Sequence, residues 1–233
     1  MLGSPLSNEE EILFQLRHSG AQVLLSLSGY APLVERACRQ AGIRQVIYTD
    51  VREYLPLRQR IALASTIDGG GSSSSQPSLP AASSRAGDNI GASSSAVEHV
   101  APGGQKWTQY AFQRLLHSNP ASLIDSGIAS DDLAALLYTS GTTDTPKGVM
   151  LSHGNLVVNV AQQRHWLSDS RRGREVTLSV LPLTHSYGFT SCMNLSIALA
   201  ATQILLPTQR IGQVMQAIKQ HHPTILPGVP ALY

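Results

Sequence analysis

Cysteine is scarce in this chain: Cys38 and Cys192 are the only two among 233 residues. That excludes a disulfide scaffold and makes a reducing, cytoplasmic setting the expectation. Both fall in segments of helical pattern and read as small core residues. Long apolar runs are also missing. No stretch approaches the roughly 20 apolar residues that cross a bilayer, and Met1 to Glu11 is polar and acidic, without the apolar core of a secretory signal. Charge is sparse and nearly balanced, with a formal net of +2, too little for the electrostatic footprint of a nucleic-acid partner. Aromatic residues make up 5% of the chain and are scattered, so no base-stacking platform is expected. His221 and His222 have no third ligand at metal spacing, and no protein metal ligand is assigned.

What is present alternates. Helical periodicity over Asn8 to His18 gives way to an apolar run at Gln22 to Ser26, then to a helix over Ala31 to Ala41 with Pro32 in its first turn, then to a strand at Gln45 to Thr49. Alternation of this kind predicts an α/β fold with largely parallel sheets flanked by helices. Residues 68–104 then change character, with runs of Gly and Ser from Gly69 to Ser75 and again at Ser93 to Ser95. So little apolar surface cannot offset the entropy of ordering, and 68–104 is expected to be a disordered insertion between parts 1–67 and 105–233. Beyond it the pattern predicts a helix over Trp107 to Leu116, a strand over 133–138, a helix through about Leu167 with Ser152 as its N-cap, and a strand over Val176 to Leu183. A helix over Tyr187 to Ala200, a strand over Gln203 to Leu206 and a helix over Ile211 to Gln220 complete it.

The most informative run is Tyr138-Thr139-Ser140-Gly141-Thr142-Thr143-Asp144-Thr145-Pro146-Lys147-Gly148, a polar loop between the apolar stretches 133–138 and 149–151. Glycines allow close backbone approach, the hydroxyls donate, and Lys147 supplies a compact positive charge. A polyphosphate suits that set. The Walker pattern fails, because Pro146 and Gly148 stand where it needs glycine and Ser/Thr. No Gly-x-Ser-x-Gly elbow surrounds Ser140, which argues against an esterase.

This run resembles the signature loop of the adenylate-forming (AMP-binding) superfamily, Tyr-Thr-Ser-Gly-Thr-Thr-Gly-x-Pro-Lys-Gly. Three further segments are similar to that family and stand in its order: Ser152-His153-Gly154-Asn155-Leu156, Val180-Leu181-Pro182-Leu183-Thr184-His185-Ser186-Tyr187-Gly188-Phe189-Thr190 and Pro223-Thr224-Ile225-Leu226-Pro227-Gly228-Val229-Pro230. Asp50-Val51-Arg52-Glu53-Tyr54-Leu55-Pro56 resembles the long-chain fatty-acyl-CoA synthetases within it. The resemblance implies a partial N-terminal adenylation domain that activates a carboxylic acid, of medium or long chain, with ATP, Mg2+ and coenzyme A as co-substrate. It assigns the nucleotide phosphates to Thr139, Ser140, Gly141, Thr142, Thr143, Lys147 and Gly148, and the border of the acyl pocket to His185, Tyr187 and Gly188. The family's C-terminal lysine domain is not found in the sequence, so no catalytic residue is assigned. The chain reads as a fragment of a ligase, or alternatively as a remnant that binds nucleotide or acyl groups without turnover. Any contact with membranes is expected to be peripheral, through a lipid-like acid.

One residue departs from the pattern: Asp144 replaces the family's glycine. At about 6 Å and an effective dielectric of about 20, its charge opposes each unit of phosphate charge by roughly 2–3 kcal/mol. Asp144→Gly is therefore expected to tighten ATP binding, as read by calorimetric titration. An unchanged affinity contradicts this.

Overall fold

Local chemistry sets the first elements. Asn8 starts α1 (Glu9–Ser19) by accepting from the Glu11 amide at 2.9 Å, three glutamates occupy the positive end of the helix dipole, and Gly20 closes the helix in the left-handed region. Strand β1 (Val23–Leu27) leads through a short turn to α2 (Ala31–Ala41), and Gly42 turns the chain into β2 (Gln45–Thr49). The computed structural model describes residues 3, 7–55, 96–100, 104, 106–118, 127–139, 146–206 and 210–232. Its contacts divide the chain into two units, one of Ser7–Ile124 and one of Met1–Leu6 with Asp125–Tyr233.

In the first unit, β3 (Ala96–Val100) and β4 (Lys106–Ala111) complete a four-stranded sheet of order β1-β2-β4-β3, and α3 (Phe112–Ser118) comes next. Strands β1, β2 and β4 run parallel and β3 lies antiparallel to β4. Val46, Tyr48 and Trp107 pack with Val34, Ala37 and Cys38 of α2 and with Leu16 of α1. Leu16, 1% exposed, illustrates the driving force: burying such a side chain contributes about 2 kcal/mol.

Two expectations are corrected here. The helix predicted over Trp107 to Leu116 is a strand as far as Ala111, and only then a helix. Ala96–Val100, predicted to belong to the disordered insertion, is its antiparallel partner. Pairing decides both. Trp107 stands opposite His99 and stacks on it at 5.1 Å, while Arg39 of α2 covers the indole at 5.7 Å, so neighbours distant in sequence override local periodicity. As a result β4 and α3 belong with the first unit, although the sequence pattern grouped them with residues 119–233. The rest of 68–104, apart from Gly104, lies outside the described residues.

The segment Asp50 to Pro56 has a local role as far as Leu55. Asp50 accepts from the Arg52 side chain at 2.7 and 2.9 Å, from the Arg52 amide at 2.8 Å and from the Ser28 hydroxyl at 2.9 Å, tying the end of β1 to the turn after β2. The Arg52 hydrogen bonds, foremost among these, hold its carboxyl down at about 2. An unfolded aspartate titrates near about 3.9, so the bound anion's contribution is complete above about pH 4 and is lost as pH falls through about 2. After discounting for solvent, Asp50→Asn should cost about 1 kcal/mol in urea denaturation at pH 7 and almost nothing at pH 2. Equal losses at both pH values would contradict this account.

In the second unit, β5 (Leu133–Thr139) and β6 (Lys147–Ser152) form an antiparallel pair that feeds α4 (His153–Trp166). Strand β7 (Val176–Ser179) leads to a π-helical segment, Gly188–Asn194, continued by α5 (Leu195–Ala198). Next come β8 (Thr202–Leu205), parallel to β7, and α6 (Ile211–His221). Leu178, Val180, Leu181, Cys192 and Val214 form the core of this unit. The strand predicted to reach Leu183 stops at Ser179, whose carbonyl accepts from Leu206 at 3.1 Å, and Pro182 beyond it has no N–H for a ladder. The helix predicted over Tyr187 to Ala200 is wound in two registers. Both cysteines are buried and unbridged. Among the described residues no helix is long and apolar enough to cross a membrane.

Candidate functional site

The hairpin places the ends of the hydroxyl-rich loop. Thr139 pairs with Lys147 and Tyr138 with Gly148, and directly opposed residues hold their Cβ atoms about 5 Å apart. A hydroxyl and an ammonium therefore stand side by side at the loop's base, both exposed. Lys147 makes no ion pair among the described residues, so its charge is available to an anion. Ser140, Gly141, Thr142, Thr143 and Asp144 lie outside the described residues.

The exit of the hairpin is fixed by a capping box. Ser152 Oγ accepts from the Asn155 amide at 3.1 Å, and Asn155 Oδ1 accepts from the Ser152 amide at 3.0 Å. Two further amides of the first turn donate to the preceding loop, His153 to the Asp132 carbonyl at 3.1 Å and Gly154 to the Ser130 carbonyl at 2.7 Å. A Cβ on Gly154 would stand 3.2 Å from that Ser130 oxygen, so glycine permits the approach. His153 thus starts the helix, as its position suggests. Helix α4 packs against β5, β6 and the π-helical segment, so one rigid element joins the hairpin to the second motif.

That motif is a tight turn. His185 donates its amide to the Pro182 carbonyl at 3.1 Å, and the Phe189 amide donates to the His185 carbonyl at 2.8 Å, opening the helix. Gly188 passes so close to the turn that a Cβ there would lie 2.2 Å from the Pro182 oxygen and 2.8 Å from its carbonyl carbon. Real contacts are never that short, so only glycine fits. His185 and Tyr187 are exposed beside it, while Gly188 is buried. The Tyr187 amide donates to His185 Nδ1 at 3.3 Å, which puts the proton of the neutral imidazole on Nε2, from where it can donate a hydrogen bond to an acceptor oxygen.

Sequence reasoning missed Gln203. Its amide reaches Ser179 Oγ and the Cys192 carbonyl. The available signal was a long polar residue in an otherwise apolar strand.

Among the described residues no group of three or more His, Cys, Asp or Glu could hold a metal ion. A magnesium ion that arrives on a polyphosphate would need no such cage.

Known proteins resemble the chain, some along about half of it and some along nearly its whole length. It is 29% identical over 230 residues, 99% of its length, to the long-chain-fatty-acid–CoA ligase of Bacillus subtilis, covering 36% of that protein. It is 37% identical over 123 residues to 4-coumarate–CoA ligase 1 of Solanum tuberosum, a match covering 52% of this chain and 23% of the relative. The chain thus spans roughly a third or less of these relatives' lengths. Among solved structures, a putative long-chain-fatty-acid CoA ligase from Rhodopseudomonas palustris superposes with a TM-score of 0.65 at 16% identity, over 99% of this chain and 44% of that one. A benzoate CoA ligase from Burkholderia xenovorans gives 0.60 at 18% identity, over 99% and 35%. At those identities the likeness is one of fold. The family model described as AMP-binding enzyme matches residues 3–233, almost the whole sequence, and this chain belongs to that family.

Proposed function

We propose that the chain contributes the phosphate-loop part of an ATP-dependent acid–thiol ligase. In the first half-reaction a carboxylate oxygen attacks the α-phosphorus of ATP, forming the acyl-adenylate and releasing pyrophosphate. In the second, the thiol of coenzyme A attacks the acyl carbon and AMP leaves. The observation that carries this reading is the pairing of Thr139 with Lys147 across the base of the hydroxyl-rich loop. Lys147, Thr139 and Gly148, together with Ser140, Gly141, Thr142 and Thr143, would hold the β- and γ-phosphates and stabilise charge on the departing pyrophosphate. Bound magnesium would supply further charge neutralisation. His185 and Tyr187 would border the acid, and Gly188 would hold their turn in place.

The substrate proposed is a medium- or long-chain fatty acid. Support comes from the Bacillus subtilis ligase, matched along 99% of this chain, whereas the coumarate ligase is matched along 52%. The test is MgATP titration together with ATP–pyrophosphate exchange, using decanoate, palmitate, 4-coumarate and benzoate. Exchange that is greatest with the aliphatic acids is the expected result. A preference for the aromatic acids would overturn the substrate class, and ATP binding without exchange would mean that this chain binds but does not turn over.

A further inference from the structure

Helical bookkeeping leaves one carbonyl over in the second motif. The Leu195 amide donates to Thr190, five residues back, whereas the Leu199 amide donates to Leu195, four residues back. Between these bonds lie the three amides of residues 196–198 and the four carbonyls of residues 191–194. A change from π to α register must therefore leave one oxygen without an amide. Among these four, the Cys192 carbonyl receives two side chains, Gln203 Nε2 at 2.7 Å and Ser196 Oγ at 2.5 Å. The same Gln203 nitrogen donates to Ser179 Oγ at 2.9 Å, so both of its hydrogens are used. One amide thereby ties β7, β8 and the π-helical segment together. Its partners are inside the unit, with Cys192 fully buried and Ser179 and Ser196 exposed by only 3% and 2%.

We propose that Gln203 is a positioning residue for the acid-binding turn. By bonding the Cys192 carbonyl and Ser179 at once it keeps Gly188–Asn194 in π register against β7 and β8, and that register sets the orientation of Tyr187 and of the His185 turn immediately upstream. Without the amide, the Cys192 carbonyl keeps only the Ser196 hydroxyl and the segment loses its tie to β7 and β8, so the α register gains. Recovering it shifts the winding by one residue, about 100° of helix rotation, which carries Tyr187 and the His185 turn away from their present direction. This rests on the proposed reading that the turn borders the acid. The phosphate hairpin has no part in the network, so nucleotide binding should be spared.

The test uses the full chain and two variants, Gln203→Leu and Gln203→Glu, with decanoate and MgATP as separate probes in titration calorimetry and with amide hydrogen exchange over residues 186–199. Gln203→Leu should weaken decanoate binding at least tenfold, leave the MgATP dissociation constant within twofold, and accelerate exchange in the π-helical segment. Gln203→Glu should behave likewise at pH 8 and recover affinity toward pH 5, where a protonated carboxyl can again donate; it also serves if the leucine variant does not fold. Unchanged decanoate affinity, or equal losses for decanoate and MgATP, would overturn the proposal. If the wild-type chain binds no acid, the acyl-activation reading falls separately, and unchanged exchange in Gln203→Leu would still overturn the register claim.

Discussion

Gly188→Ala should abolish acid-dependent adenylation while leaving MgATP bound. The added Cβ would meet the Pro182 carbonyl oxygen at 2.2 Å and its carbon at 2.8 Å, and both are backbone atoms that cannot swing aside. Relief requires the turn or the helix start to move by about 1 Å, and displacements of that size cost roughly 10²-fold when reacting groups must be aligned. Overpacking adds a stability loss of about 1–3 kcal/mol. The turn cannot simply open, because the His185 amide is bonded to that same Pro182 oxygen and the Phe189 amide to the His185 carbonyl. Pyrophosphate exchange with and without acid, read beside MgATP titration, separates the two effects. Loss of both activities together with the fold would show only that Gly188 is structural, and full exchange would show that the turn is not part of the acid site.

Lys147→Ala carries the second large effect. The residue occupies the first position of β6, opposite Thr139, exposed and without an ion pair among the described residues. No fold-stabilising role is evident there, so the folded state should lose less than about 0.5 kcal/mol. A phosphate held by its ammonium would lose a charge-assisted hydrogen bond worth about 1.5–3 kcal/mol, a tenfold to hundredfold weaker MgATP affinity. Exchange should fall by about 10²-fold or more, since the departing pyrophosphate needs that charge most in the transition state. Lys147→Arg should restore part of the binding and little of the rate, because a planar fork does not place charge as a compact ammonium does.

These two residues were legible in the sequence for different reasons. Lys147 and its neighbours were visible because a loop that only turns has no use for clustered hydroxyls beside a lysine, and the capping role of Ser152 was visible because caps are local. Gly188 was visible as part of a motif, but the reason for glycine was not, since its contact with Pro182 depends on how the turn folds back on itself. Tertiary pairing hid more. Ala96–Val100 is a five-residue strand at the end of a polar stretch, and nothing short-range distinguishes it until Trp107 and Tyr110 stand opposite. Gln203 is bonded to partners 11 and 24 residues earlier in the chain, one of them in a π register that periodicity does not announce. The parallel pairings β1–β2 and β7–β8 were implied by helix–strand alternation, whereas the β2–β4 pairing was hidden because β4 reads as helix, and the exact ends of β7 and of the helix after it depended on Pro182 and Gly188.

The central claim is that the loop between Thr139 and Gly148 holds the phosphates of a nucleotide. A crystal structure of this chain with MgATP tests it most directly. The account predicts a β- or γ-phosphate oxygen within about 3.2 Å of Lys147 Nζ, with loop amides and hydroxyls around the same group. A triphosphate bound elsewhere, with Lys147 left in solvent, would contradict it.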